Sequence, residues 1–226
     1  MPSAPPVELV IFDCDGVLVD SEPIAARVMA EALSEIGYRV TTADCIDRYT
    51  GISMAAVTAM IEDDWGRPLP GDFVDSVRQR DFEAFAADLE PVAGVESMLD
   101  RLNMAKCVAS SGAPEKTRFT LTITGLIRRF EPHLFSAHEI AHGKPAPDLF
   151  LYAARKMGVE PESCAVIEDS VAGIRAGRAA GMRVLGFTGG GHAGSRMKAP
   201  LLDAGADAVF DRMEKLALLL GLAVTP

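Results

Sequence analysis

The stretch VELVIFDCDGVLVDSEP, Val7 to Pro23, runs an apolar strand into four acidic residues, Asp13, Asp15, Asp20 and Glu22. Residues two apart in a strand share a face, so Asp13 and Asp15 look into one environment while Phe12 and Cys14 face away. At the carboxyl end of a buried parallel strand, that environment is the usual ligand crevice. Two carboxylates this close repel, which favours either a bound hard cation or a division into one ionised and one protonated group. Both conditions suit Mg2+-assisted phosphoryl transfer, with one Asp as nucleophile and the other as acid and base. Gly16 lets the backbone approach a ligand. The competing reading of D-x-D-G alone is a pair of solvated loop aspartates before a turn.

Outward from this stretch, short apolar runs alternate with helical segments: VELVIFD, KCVASS, HLFSA, CAVIED, RVLGFT and ADAVFD predict strands, with PDLFLYAARKMG and SVAGIRAGRAAG among the helices between them. That alternation predicts an α/β fold, a doubly wound, Rossmann-like parallel sheet covered by helices. From Glu22 to about Leu89 the alternation stops and the period is helical throughout, with a turn at RPLPGD. This predicts a helical cap inserted after the first strand, at residues 21–90, with the catalytic core formed by 1–20 and 91–226. Pro91 and Gly94 mark the linker back. Such a module can close over a site as a lid.

The other strand ends choose between the two readings of Asp13 and Asp15. VASSGAPEK closes the second strand with Ser110, Ser111 and Gly112, hydroxyl and backbone donors of the kind that cradle a phosphate. AHGKPAPDLF holds Lys144 between Gly143 and Pro145, a fixed cation rather than a solvated one. AVIEDSVAG ends another apolar run in Glu168 and Asp169. A second acidic strand end is hard to explain as solvation and easy to explain as further coordination of Mg2+.

Composition limits the partners. The 226 residues are 49% hydrophobic and 24% charged with a net charge of -10, and no basic run is present. This argues against nucleic acid or an acidic membrane surface. The longest apolar run, LALLLGLAV, is too short to span a bilayer. The four cysteines form no C-x-x-C pair and read as core thiols in a reducing compartment, which with the absence of a signal-like start predicts a cytoplasmic protein. MPSAPP reads as a frayed tail. TGGGHAGSRM lacks the Lys and Ser/Thr of a P-loop and reads as a flexible loop. The four histidines lack metal-ligand spacing and read as structural or surface residues, and Trp65 reads as a cap core residue.

FDCDGVLVD, Ser110 after the second strand, GKPAPD and VIEDSVAG resemble, in order and spacing, the four motifs of the haloacid dehalogenase superfamily. They resemble its phosphatase and β-phosphoglucomutase-like branch, with a helical cap after the first motif, over nearly the whole chain. The resemblance implies a phosphatase in which Asp13 forms an aspartyl phosphate and Asp15 is the acid and base. It implies phosphate contacts from Ser110 and Lys144, with Ser111 and the backbone at Gly112 beside them. It also implies a Mg2+ held by Asp13, the Asp15 carbonyl and Asp169, with Glu168 assisting. In the cap, YTGISMAAV resembles the substrate loop, which assigns substrate choice to Gly51, Ile52, Ser53 and Met54.

The substrate expected is a small phosphorylated metabolite, a sugar or sugar-acid phosphate such as 6-phosphogluconate, handled by a monomer or weak homodimer. The alternative is a β-phosphoglucomutase-type mutase. Its relatives carry an Arg just after G-[IV]-S, where this chain has Met54, and a His where it has Ala25. Arg48 or Arg78 would be the substitute cation. A remote alternative, a receiver-like phosphoacceptor, has no D-x-D-G and no cap.

Overall fold

The computed structural model describes residues 5–222. The reading of MPSAPP as a frayed tail therefore falls largely outside the described residues. The chain forms two compact units: one takes the chain up to Asp20 and from Glu90 onward, the other is Ser21–Leu89.

The first unit is built on a six-stranded sheet in the order β3-β2-β1-β4-β5-β6. The strands are β1 (Leu9–Phe12), β2 (Ala105–Ser110), β3 (Leu134–Ser136), β4 (Cys164–Glu168), β5 (Arg183–Phe187) and β6 (Ala208–Phe210), and every neighbouring pair is parallel. β1, LVIF, is buried along its whole length, as is β4, CAVIE, because helices cover both faces of the sheet; this is why both read as apolar runs, that of β4 up to Glu168. One core layer packs Leu9, Ile11, Cys107, Val166 and Val184 against Leu149, Phe150, Ala153 and Ile174. All four cysteines are buried and free.

The order reverses direction at β1, which lies between β2 and β4, so the crevice at their carboxyl ends is the ligand position of a doubly wound sheet. Beyond β1 the chain turns tightly. Gly16 N donates to Val19 O at 2.8 Å and Leu18 N to Cys14 O at 2.9 Å. Val19 then forms an antiparallel bridge with Pro91, and Asp20 N donates to Glu90 O at 3.1 Å, so the outgoing and returning strands of the chain run side by side.

The second unit contains α1 (Glu22–Glu35), α2 (Thr42–Tyr49), α3 (Met54–Trp65) and α4 (Phe73–Asp88). Its own core includes Leu33, Tyr38, Cys45, Val57, Ile61, Phe73 and Val77, with Trp65 packed against it. Thr41 and Asp44 form a capping box that starts α2, and Gly66, at φ 71°, ends α3 in the left-handed conformation. Arg80 pairs in a bidentate manner with Glu35 at 2.7 and 2.8 Å, fastening α4 to α1. In the first unit, α5 (Val95–Arg101) precedes β2, α6 (Pro114–Ile123) follows it, α7 (Asp148–Met157) precedes β4, and α8 (Val171–Ala179) follows it. Among the described residues no helix is long and apolar enough to cross a membrane.

Candidate active site

The carboxyl ends of the central strands bring most of the expected residues together. Asp13 follows β1 directly, and its N–H continues the ladder by donating to Ile167 O at 3.0 Å. Ser110 ends β2, Glu168 ends β4 and Asp169 follows it; all are buried. Lys144 lies in the loop between β3 and α7, with a side chain only 4% exposed. Its Nζ stands 2.6 Å from Glu168 Oε1, 3.0 Å from Asp13 Oδ1 and 3.2 Å from the Ala109 carbonyl. One ammonium thus joins three strand ends.

Glu168 has both oxygens engaged. Oε1 takes Lys144, while Oε2 accepts from the backbone N–H and hydroxyl of Ser170, each at 2.9 Å. Gly173 opposes this carboxylate, and a Cβ there would come within 1.8 Å of it. Glu168 is therefore best placed to aim Lys144. Asp13 Oδ1, in contrast, is buried and has no hydrogen bond of proper geometry, only the ion pair.

Asp13, Glu168 and Asp169 each offer an oxygen, and these lie within 4.8 Å of one another. An all-carboxylate donor set with an unsatisfied buried oxygen fits a hard divalent cation such as Mg2+. The electrostatics agree. Burial raises Asp13 well above the ordinary carboxylate range; Lys144 pulls it down, and Glu168, Asp169 and Asp15 push it up again. Asp169 is raised as well, first by burial, against the hydrogen bond from His192. Burial disfavours the Lys144 ammonium, but Asp13 and Glu168 outweigh it and hold its pKa above the usual value.

On the opposite flank the loop after β2 folds over itself. Ser110 Oγ accepts from Gly112 N at 3.0 Å, which leaves the hydroxyl proton for a ligand, and Ser136 Oγ donates to the Gly112 carbonyl at 2.7 Å. A Cβ on Gly112 would face Ser110 Oγ, Thr117 Oγ1 and Asp15 Oδ2 at 3.2–3.6 Å, so Gly112 borders the space between these oxygens. Ser111 is exposed. Gly16 has φ 73°, and a Cβ on it would lie 1.9 Å from Asp169 Oδ2. Only glycine satisfies both conditions.

Two residues at this site escaped sequence reasoning. Lys116, in the first turn of α6, places Nζ 2.9 Å from Asp15 Oδ1. His192, within TGGGHAGSRM, places Nε2 3.1 Å from Asp169 Oδ2 and is buried. That segment is a packed loop rather than a loose one: Gly191 N donates to Asp20 Oδ1 at 2.8 Å. The expected cap loop lies in the other unit, where Gly51 has φ 75°, Ile52 is exposed, and Ser53 caps the N-terminus of α3, whose first residue is Met54.

A family model for haloacid dehalogenase-like hydrolases matches residues 7–181, which span β1 through α8 and every strand-end group above. The chain belongs to the haloacid dehalogenase-like hydrolases. Among curated relatives of this hydrolase, 6-phosphogluconate phosphatase of Escherichia coli K12 is 31% identical over 187 residues, covering 82% of this chain and 85% of the relative. Fructose-1-phosphate phosphatase of the same organism is 33% identical over 186 residues, covering 76% and 92%. Among solved structures, a haloacid dehalogenase-like protein of Agrobacterium tumefaciens C58 superimposes with a TM-score of 0.87 at 38% identity, covering 95% of this chain and 98% of that one.

Proposed function

We propose that this hydrolase is a Mg2+-dependent phosphatase for a small phosphorylated sugar or sugar acid, with 6-phosphogluconate as the first candidate, acting through an aspartyl phosphate on Asp13. The observation that carries the reading is the buried Asp13 carboxylate, with an oxygen lacking a hydrogen bond, among Lys144, Glu168 and Asp169. Relatives that act on 6-phosphogluconate and fructose 1-phosphate support the substrate class. The four buried, free thiols suit a reducing compartment such as the cytoplasm.

Asp13, Asp169 and the Asp15 carbonyl would hold Mg2+, with Glu168 behind them, and the bound ion would neutralise charge on the transferring phosphoryl group. Asp13 attacks phosphorus, while Ser110 and Lys144 hold the equatorial oxygens, with Gly112 bordering their space. Asp15 gives a proton to the leaving sugar oxygen and later takes one from the water that cleaves the aspartyl phosphate. Gly51–Met54 is the loop to which substrate choice is assigned.

Hydrolysis is favoured over mutase chemistry by the cap side chains. Met54 offers no hydrogen-bond donor. Arg48 is committed to Tyr38 at 3.2 Å and Asp64 at 3.3 Å, and Arg78 lies beside Asp75. The test compares wild type with Asp13→Asn on 6-phosphogluconate, with Mg2+ and with chelator. Wild type should release phosphate only with metal. The variant, still folded, should lose a factor on the order of 10⁴ or more in kcat. Turnover by folded Asp13→Asn at the wild-type rate overturns the mechanism. With β-glucose 1-phosphate, a trace of the bisphosphate and Mg2+, rapid glucose 6-phosphate formation with little free phosphate overturns the hydrolase assignment.

A further inference from the structure

The loop after β5 takes no part in the mechanism above, yet it is fitted closely to the site. Thr188 donates its N–H to Phe210 O at 2.9 Å. A Cβ on Gly189 would lie 2.4 Å from the Asp211 carbonyl, and one on Gly190 would lie 2.7 Å from the Gly16 carbonyl. Both glycines therefore allow the chain to lie directly on neighbouring backbone. Asp20 fixes Gly191, and Ala193 N donates to Gly190 O at 3.1 Å. Held at these points, the loop delivers a buried imidazole, His192, whose Nε2 meets Asp169 Oδ2 at 3.1 Å. The ring also lies against Gly16, with Cε1 2.7 Å from where a Cβ would stand. The Asp169 carboxylate is thus wedged between the Gly16 backbone and an imidazole.

We propose that His192 is a positioning residue for cation binding: it donates from Nε2 to one oxygen of Asp169 and turns the other toward Asp13, making the glycine-rich loop part of the support of the metal site. The inference rests on the Mg2+-dependent reading above. A carboxylate free to rotate loses that freedom when it takes up a cation, whereas one already held by a donor does not. Losing such an outer hydrogen bond weakens metal binding by about 10–100-fold in other proteins.

The test is direct binding of Mn2+ alone, read as loss of the free-ion signal in electron paramagnetic resonance, alongside thermal melting. His192→Phe keeps a ring and removes the donor; His192→Gln places an amide nitrogen near the position of Nε2. His192→Phe should bind Mn2+ about 10–100-fold more weakly, and His192→Gln within a few-fold of wild type. If His192→Phe does not fold, His192→Asn, whose amide stops short of Asp169, takes its place with the same expected loss. Unchanged or tighter Mn2+ binding by the folded donor-free variant overturns the inference and leaves the phosphatase reading intact, as do equal losses in the donor-free and Gln variants. Absence of Mn2+ binding in the wild type overturns the metal reading itself, and the role of His192 with it.

Discussion

Replacing Lys144 with Met tests whether this ammonium holds the strand ends together. Its Nζ lies 2.6 Å from Glu168, whose side chain is fully buried, and 3.0 Å from Asp13. At an effective dielectric of about 20, each contact carries about 5–6 kcal/mol of gross attraction. Most of that offsets desolvation of the three charges, and removing one partner from a buried group typically costs about 3–5 kcal/mol because the remaining charges stay uncompensated. For a chain of this length, that is a fall in Tm of about 6–20 °C.

The pH dependence has a definite sign. Burial raises the Asp13 carboxyl, and Lys144 is the influence that lowers it, so Lys144→Met raises it further. An acid whose folded pKa lies above its unfolded value gives stability that is present below the unfolded pKa and lost as pH rises through the folded one. The Tm deficit of metal-free Lys144→Met should therefore widen as pH rises above the ordinary carboxylate range. Melting followed by circular dichroism in chelator measures it. A variant that melts within about 2 °C of wild type across this rise in pH, well inside the expected loss, would show that Lys144 is not the compensating charge.

Gly16→Ala should be disproportionately harmful for one methyl group. The left-handed φ of 73° costs about 1–2 kcal/mol with a Cβ, and the new carbon displaces Asp169. A fall in kcat of about 10²-fold is expected, with phosphate release as the assay; activity near wild type would mean that Asp169 need not stay where it is. Lys116→Met should cost less than about 1 kcal/mol, since the pair with Asp15 is partly exposed. It should lower kcat/KM for an alkyl phosphate by about 10-fold but spare p-nitrophenyl phosphate, whose leaving group needs no proton. Equal losses on both substrates would count against Lys116 orienting the acid.

The sheet was legible because parallel strands buried on both faces must be apolar along most of their length, and the apolar runs LVIF and CAVI stop where the acidic residues begin. Asp13, Ser110 and Asp169 stood out for a related reason: a charged or hydroxyl group at the end of such a run requires a partner; Lys144 stood out because Gly143 and Pro145 flank it. Lys116 and His192 gave no such signal. Lys116 occupies the first turn of a helix among Glu115 and Arg118, where a solvated lysine is ordinary, and only the fold of the loop from Ser110 to Pro114 brings it to Asp15. His192 follows three glycines, two of which pack on Gly16 and Asp20, more than 170 residues earlier. Sequence spacing carries no trace of proximity over such a distance. The two engaged oxygens of Glu168 were equally hidden, since the donors of Ser170 and Lys144 reach it only once α8 and the loop before α7 are in place.

The side-by-side crossing at Val19–Pro91 and Asp20–Glu90 means that the helical segment is spliced into the chain like a parenthesis. Because the two ends already meet, the length and content of what lies between them hardly enter the closure entropy of the sheet, which changes by only about 0.6 kcal/mol for each doubling of loop length. Nature is then free to rewrite the parenthesis without rewriting the sentence. One unchanged set of strand-end groups is compatible with many different helical inserts, because the fold of the sheet makes few demands on that region.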